Sequence, residues 1–210
     1  QGTWDFRTIT PMQRPESLAG IEVLNEEELA TFEAAENVRR DRDNFTDTTT
    51  TGDYNQFWYD RGTELLDDGR TSLITDPPNG RIPELTEAAQ ARNEARREAA
   101  RLAEGVEVRP LSERCIMGFN SGPPMTPSAY NNNVQLVQTE NYMLIHNEMV
   151  HNVRPVKLNT SAHREVPRKW EGDSIGHWEG DTLVVETNHF ARATSFGNSS
   201  ENMHLLEKFW

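Results

Sequence analysis

From Val134 onward, apolar and polar residues alternate with a period of two. "VQLVQT", "NYMLIHNEMV" and "VRPVKL" are strand-like runs separated by short gaps. "SIGHW" and "TLVVET" follow. They flank Glu179, Gly180 and Asp181, and a Gly-Asp pair between alternating runs predicts a tight hairpin. A last run, "NMHLLEKFW", alternates again. About six strands with short connections predict an antiparallel meander. Upstream the period lengthens. Leu29, Phe32, Ala35 and Val38 recur at helical spacing within residues 25–45, behind Asn25 as N-cap and Glu28 at the capping-box position. Thr86 caps a second helical stretch running to Gly105. Its only large aliphatic residue is Leu102, so it is expected on the surface. Residues 1–24 have no clean period and read as an irregular arm pinned by Trp4, Phe6 and Ile9.

These elements predict an α+β fold: an N-terminal arm and two helices packed on a C-terminal antiparallel β-meander, a partial barrel-like sheet. Residues 1–133 form the irregular and helical region, residues 134–210 the meander, co-folded as one domain. Residues 46–53, "TDTTTTGD", read as a loop. Four aromatics crowd into "YNQFWYDRG" (54–62), which predicts a core anchor, with a ligand-stacking platform as the alternative. The Pro-Pro-Asn-Gly turn at 77–80 predicts a rigid corner. The last run reaches Trp210 while still alternating. This predicts an unpaired apolar edge, in a chain cut short or covered there by the N-terminal arm. An open edge also offers a route to self-association or to pairing with another chain.

Composition narrows the functional classes. Hydrophobic residues make up 35 % and mean hydropathy is −0.78, so much of the chain is solvated loop or helix surface. No apolar run approaches the length of a membrane span, which argues against membrane insertion. The formal net charge is −13 and uneven: residues 1–105 carry 12 Arg, no Lys and 22 acids, residues 106–210 carry 9 basic and 12 acidic groups. Such a balance repels phosphate backbones and disfavours nucleic acid. The single cysteine, Cys115, excludes a CxxC metal or redox site.

All six histidines fall after residue 145. On a strand, alternate side chains share a face, so His146 and Glu148 point one way and His151 the other unless a bulge intervenes. Two chemistries use these groups. His146 and Glu148 with a further His form a candidate divalent-metal site, although the stronger His-x-His signature is absent. Alternatively, Glu148 with His151, or His177 with Glu179 or Asp181, is an acid–base pair, and Arg154 holds a carboxylate or oxyanion. His146, Glu148, His151 and Arg154 are thus the candidate catalytic set for a hydrolase or lyase. Tyr54, Phe57, Trp58, Tyr130, His177 and Trp178 are the candidate ligand-binding set, with Tyr142 and Trp170 as further stacking groups. No Gly-x-Ser-x-Gly, Gly-x-Gly-x-x-Gly or Walker pattern occurs, so no nucleotide cofactor is expected. The leading expectation is a protein that binds a small molecule or an oligosaccharide in a cavity of the meander.

Four long motifs, "WDFRTITPMQRPESLAG", "TSLITDPPNGRIPELT", "RCIMGFNSGPPMTPSAYNNNVQLVQT" and "GDSIGHWEGDTLVVETNHF", resemble those of a large family of exported bacterial proteins of uncharacterised function. The resemblance runs over essentially the whole chain. It implies export, to the periplasm or outside the cell. Members of that family continue past the "LLEKF" strand with more β-structure and a segment holding a second cysteine. The resemblance therefore implies C-terminal truncation here, with Cys115 as half of a disulfide in a longer form or as a free thiol.

Overall fold

In the computed structural model, the described residues are 2–45, 54–118, 120–163, 165–194 and 196–210. They contain two α-helices, α1 (Glu26–Arg40) and α2 (Glu87–Arg101). Seven strands accompany them: β1 (Gly2–Asp5), β2 (Asn133–Gln138), β3 (Tyr142–Asn147), β4 (Val153–Lys157), β5 (Asp173–Glu179), β6 (Thr182–Asn188) and β7 (Leu205–Phe209). The class is α+β. The strands form one curled sheet, a half-barrel, in the order β1-β2-β3-β4-β5-β6-β7.

The chain divides into two compact units. One comprises Gln1–Asp5, Glu84–Thr126 and Asn133–Trp210, and so carries the sheet and α2. The other comprises Phe6–Pro83 and Pro127–Asn132. In the second unit, α1 starts at the expected cap. The Asn25 side chain accepts from the amides of Glu27 and Glu28, and Glu28 returns a bond to the Asn25 amide. A small core of Ile9, Leu24 and Leu65, flanked by Leu18, Leu29 and Phe32, holds this unit together. Buried Arg14 ties it further, donating to the Thr71 hydroxyl (2.9 Å) and the Pro78 carbonyl (3.0 Å). The Pro-Pro-Asn-Gly corner closes with Gly80 at φ +70, a conformation glycine adopts without strain.

The expected core role of the 54–59 aromatics is overturned. Phe57 is 82 % exposed and Trp58 61 %, and the two meet edge-to-face at 5.5 Å on the surface. Their short helical turn (Gln56–Trp58) has no buried residue. Density of aromatics predicts contact among rings, and here the rings contact each other.

In the sheet unit, β5 and β6 form the expected hairpin, paired from Asp173↔Asn188 to Glu179↔Thr182 around Gly180 (φ +61). Two features depart from a pure antiparallel meander. The N-terminal arm is not irregular throughout, since β1 pairs with β2 from Gly2↔Leu136 to Asp5↔Asn133. It therefore lies at the opposite end of the sheet from β7, whose outer side has no strand partner among the described residues. And β4 meets β5 in parallel, through only Val156↔Ser174 and Lys157↔Ile175. The physical reason is the long polar connection 158–172, since a parallel return needs a crossover of a dozen residues or more.

Cross-strand partners share a face. One face carries Met143, Ile145, Val156, Leu183, Val185 and Thr187, all buried. On it Arg154 of β4 pairs with Glu207 of β7 through both guanidinium nitrogens. Two strands lie between them, so the path along the sheet is about 14 Å at ordinary strand spacing. The two side chains meet only because the sheet curls. The segment before β2 packs on this face, with the Met125 amide donating to Glu207 (3.0 Å) and Asn147 donating to the Ser121 carbonyl (3.0 Å). Around the Arg154–Glu207 pair the inner face is thus filled by side chains of the sheet and by the segment before β2.

Candidate functional site: a cleft where two parallel strands part

Beyond its two paired residues, the β4–β5 junction opens. A cleft of about 390 Å³ lies there, lined by Ile116, by Tyr142, Arg154, Pro155 and Lys157 of the sheet, by 169–172 of the crossover and by Asp173 and Ser174 at the start of β5. The crossover is held firmly. The Lys169 amide donates to the His189 carbonyl (3.1 Å), the Ala191 amide to the Lys169 carbonyl (2.6 Å) and the Thr194 hydroxyl to the Trp170 carbonyl (2.8 Å). Gly172 completes the turn at φ +71, where a Cβ would sit 2.4 Å from the Asn188 carbonyl oxygen. Nothing larger than glycine fits there.

The cleft combines two half-exposed aromatics with a set of charges. Tyr142 is 45 % exposed and Trp170 40 %. Asp173 is buried and accepts from Lys157 Nζ at 2.7 and 2.9 Å and from His163 Nδ1 at 3.2 Å, with Lys169 Nζ at 3.7 Å. Burial alone would raise the Asp173 pKa. The hydrogen bonds from Lys157 and His163 and the charges of Lys157 and Lys169 outweigh it and hold the carboxyl below its ordinary value. Glu171 is the reverse case. Burial pushes its pKa up, against a hydrogen bond from Asn152 and the charges of Arg154 and Lys169. One cleft thus holds two carboxyls whose affinities for a proton are driven apart, the arrangement that separates an acid from a base.

Behind Asp173 lies a histidine cluster. His163 Nε2 is buried without a hydrogen bond, 3.6 Å from Glu186 Oε1, and His204 Nε2 lies 2.9 Å from the same oxygen. The His204 hydrogen bond holds Glu186 below its ordinary pKa. Among the described residues, no group of three or more His, Cys, Asp or Glu is arranged to hold a metal ion.

Of the residues singled out from sequence, Tyr142, Arg154 and Trp170 line the cleft and the others fall elsewhere. His146 lies half-buried on β3, opposite Gln135 and Val153. The strand ends at Asn147, so the face-sharing expected of His146 and Glu148 does not apply. Val150 and His151 turn the chain at φ +52 and +54. Glu148 is exposed and accepts from the Asn133 side chain (2.9 Å), and His151 is exposed. Arg154 is buried against Glu207, not free for an oxyanion. The catalytic set therefore does not converge, because a left-handed turn interrupts the assumed strand. His177 and Glu179 do meet, at 3.1 Å, but in solvent. Trp178 is exposed near the hairpin tip, in the sheet unit. Tyr54, Phe57, Trp58 and Tyr130 are exposed in the other unit.

Lys157, Lys169, Glu171 and Asp173 drew no attention from sequence reasoning. Their signal was present: "KWEGD" places Lys169, Glu171 and Asp173 at alternate positions running into an apolar strand. No family model matches this chain, and neither a curated protein nor a solved structure matches it.

Proposed function

We propose that this chain is an exported protein that binds a small molecule or an oligosaccharide, and that the ligand lies in the Tyr142–Trp170 cleft. The observation that carries the reading is the pairing of two half-exposed aromatic rings with Lys157, Lys169, Glu171 and Asp173 around about 390 Å³, within the size range of ligand pockets. Aromatic faces stack on sugar rings or flat ligands, while the charged groups read hydroxyls and orientation. Export rests on the resemblance of the four motifs.

The test is a titration of the whole protein with neutral oligosaccharides (chitotriose, cellotriose and maltotriose), followed by intrinsic tryptophan fluorescence and calorimetry. One of them binds, and Trp170→Ala or Tyr142→Ala weakens it about tenfold, or 1.4 kcal/mol. Equal affinity in both variants, or no binding of any member, overturns the cleft as the site.

The opposed carboxyls favour a second reading, acid–base hydrolysis or elimination on the bound ligand, with Glu171 as proton donor and Asp173 ionised. It replaces the set of His146, Glu148, His151 and Arg154. Turnover of a fluorogenic glycoside that vanishes in Glu171→Gln, with binding retained, separates this reading from binding alone.

A further inference from the structure

Four arginines from three stretches of the chain meet around one groove of about 790 Å³ in the sheet unit: Arg92 and Arg96 of α2, Arg109, and Arg192 between β6 and β7. Among the described residues Glu107 is the only acid lining it, so the groove carries a local excess of positive charge in a chain of net charge −13. None of the cleft residues contributes to it.

Two of the guanidinium groups, those of Arg92 and Arg96, are held in place without being neutralised. Arg92 Nη2 donates to the carbonyls of Asn198 (3.0 Å) and Ser199 (3.3 Å), and Arg96 Nη2 to that of Arg192 (3.0 Å). Carbonyls orient a cation but leave its charge in place. Arg92 Nε is buried without a hydrogen-bond partner. The ion pair of Arg109 with Glu113 is long, 3.8 Å, between half-exposed side chains, and such a pair contributes little. The floor is different in kind: Leu111, Met117 and Phe196 present apolar surface.

Oriented guanidinium groups above an apolar floor match an anionic head on an apolar or ring-shaped body, because a planar fork grips carboxylate, sulfate or phosphate oxygens two at a time. We infer that this groove is a second binding site, separate from the Tyr142–Trp170 cleft, and that it takes a small organic anion of that form. The net charge of −13 disfavours an anion over the surface at large, and the arginine groove is a local exception to it.

Naphthalene-2-sulfonate and the uncharged naphthalene-2-methanol are the probes, titrated calorimetrically into the whole protein at low ionic strength. The sulfonate binds at least tenfold more tightly than the alcohol, and 0.5 M salt weakens it. Arg109→Gln with Arg192→Gln, two side chains that hold no backbone carbonyl among the described residues, lowers the affinity at least tenfold at an unchanged melting temperature. Trp170→Ala leaves it unchanged. Equal binding of the two probes, an unaffected double variant, loss in Trp170→Ala, or no binding of the sulfonate would each overturn the inference.

Discussion

Glu171 and Asp173 stand two positions apart and titrate in opposite directions, so they respond to pH with opposite signs. The folded pKa of Asp173 lies below the unfolded value of about 3.9. Its stabilising contribution is present above that value and is lost as pH falls through the folded one. Asp173→Asn should cost about 2–4 kcal/mol at pH 7, because Lys157 loses a largely buried partner. It should also flatten the fall in urea midpoint between pH 5 and pH 3. Glu171 is raised, so its contribution is present below about pH 4.3 and lost as pH rises through the folded value. Glu171→Gln should therefore raise the urea midpoint at pH 7 and leave it unchanged at pH 3. A drop at pH 7 contradicts the burial that defines the cleft. Part of this was legible in the sequence. Arg154 shares its strand face with Val156, which points its guanidinium toward the inner face of the sheet. The carboxyls were not legible, because the Asp173 shift depends on Lys157 and His163, brought to it by the β4–β5 pairing and the crossover, and the Glu171 shift on burial that only the folded chain creates.

Elements set by local signals formed where the sequence indicated. Asn25 and Thr86 cap α1 and α2, and Gly180 turns the β5–β6 hairpin. Pairings between distant segments did not follow from local pattern: β1 beside β2, and β4 parallel to β5. Period-2 alternation gives a strand its faces but does not choose its neighbour. The α1 stretch also stops short, at Arg40 rather than Phe45, because Asp41 leaves the helical region and its side chain caps Asp43 instead. The inner face yields a sharper test. Glu207→Leu alone leaves Arg154 buried and unpaired and should cost about 3–5 kcal/mol. Adding Arg154→Met should recover most of that loss in denaturant unfolding. If the double variant is as weak as the single, the ion pair is not what the face depends on. Gly172→Ala should destabilise by more than about 2 kcal/mol, since its Cβ overlaps the Asn188 carbonyl and its φ is positive.

At the scale of the whole molecule, net charge and the sheet edge oppose each other. The outer side of β7 has no strand partner among the described residues, and Leu206 and Trp210 are exposed beside it. Such an edge pairs readily with a second strand. A charge of −13 repels a second copy, and salt removes that repulsion. Sedimentation velocity at 100 µM should show association rising between 0.05 and 0.5 M salt and suppressed by Leu206→Lys. A sedimentation profile unchanged by salt would mean that Lys208 already blocks the edge.

Arg154 lines the cleft while its guanidinium is tied to Glu207 on the outermost strand. That tie works as a tension rod across the open side of the half-barrel. A strand seated along β7 would act on Glu207, and the other end of the rod is Arg154, beside the proposed ligand cleft. Glu207→Gln is therefore expected to change the affinity of that cleft for its proposed ligand, and an unchanged affinity would deny the link; by reciprocity a ligand in the cleft would change strand pairing at the rim by the same factor.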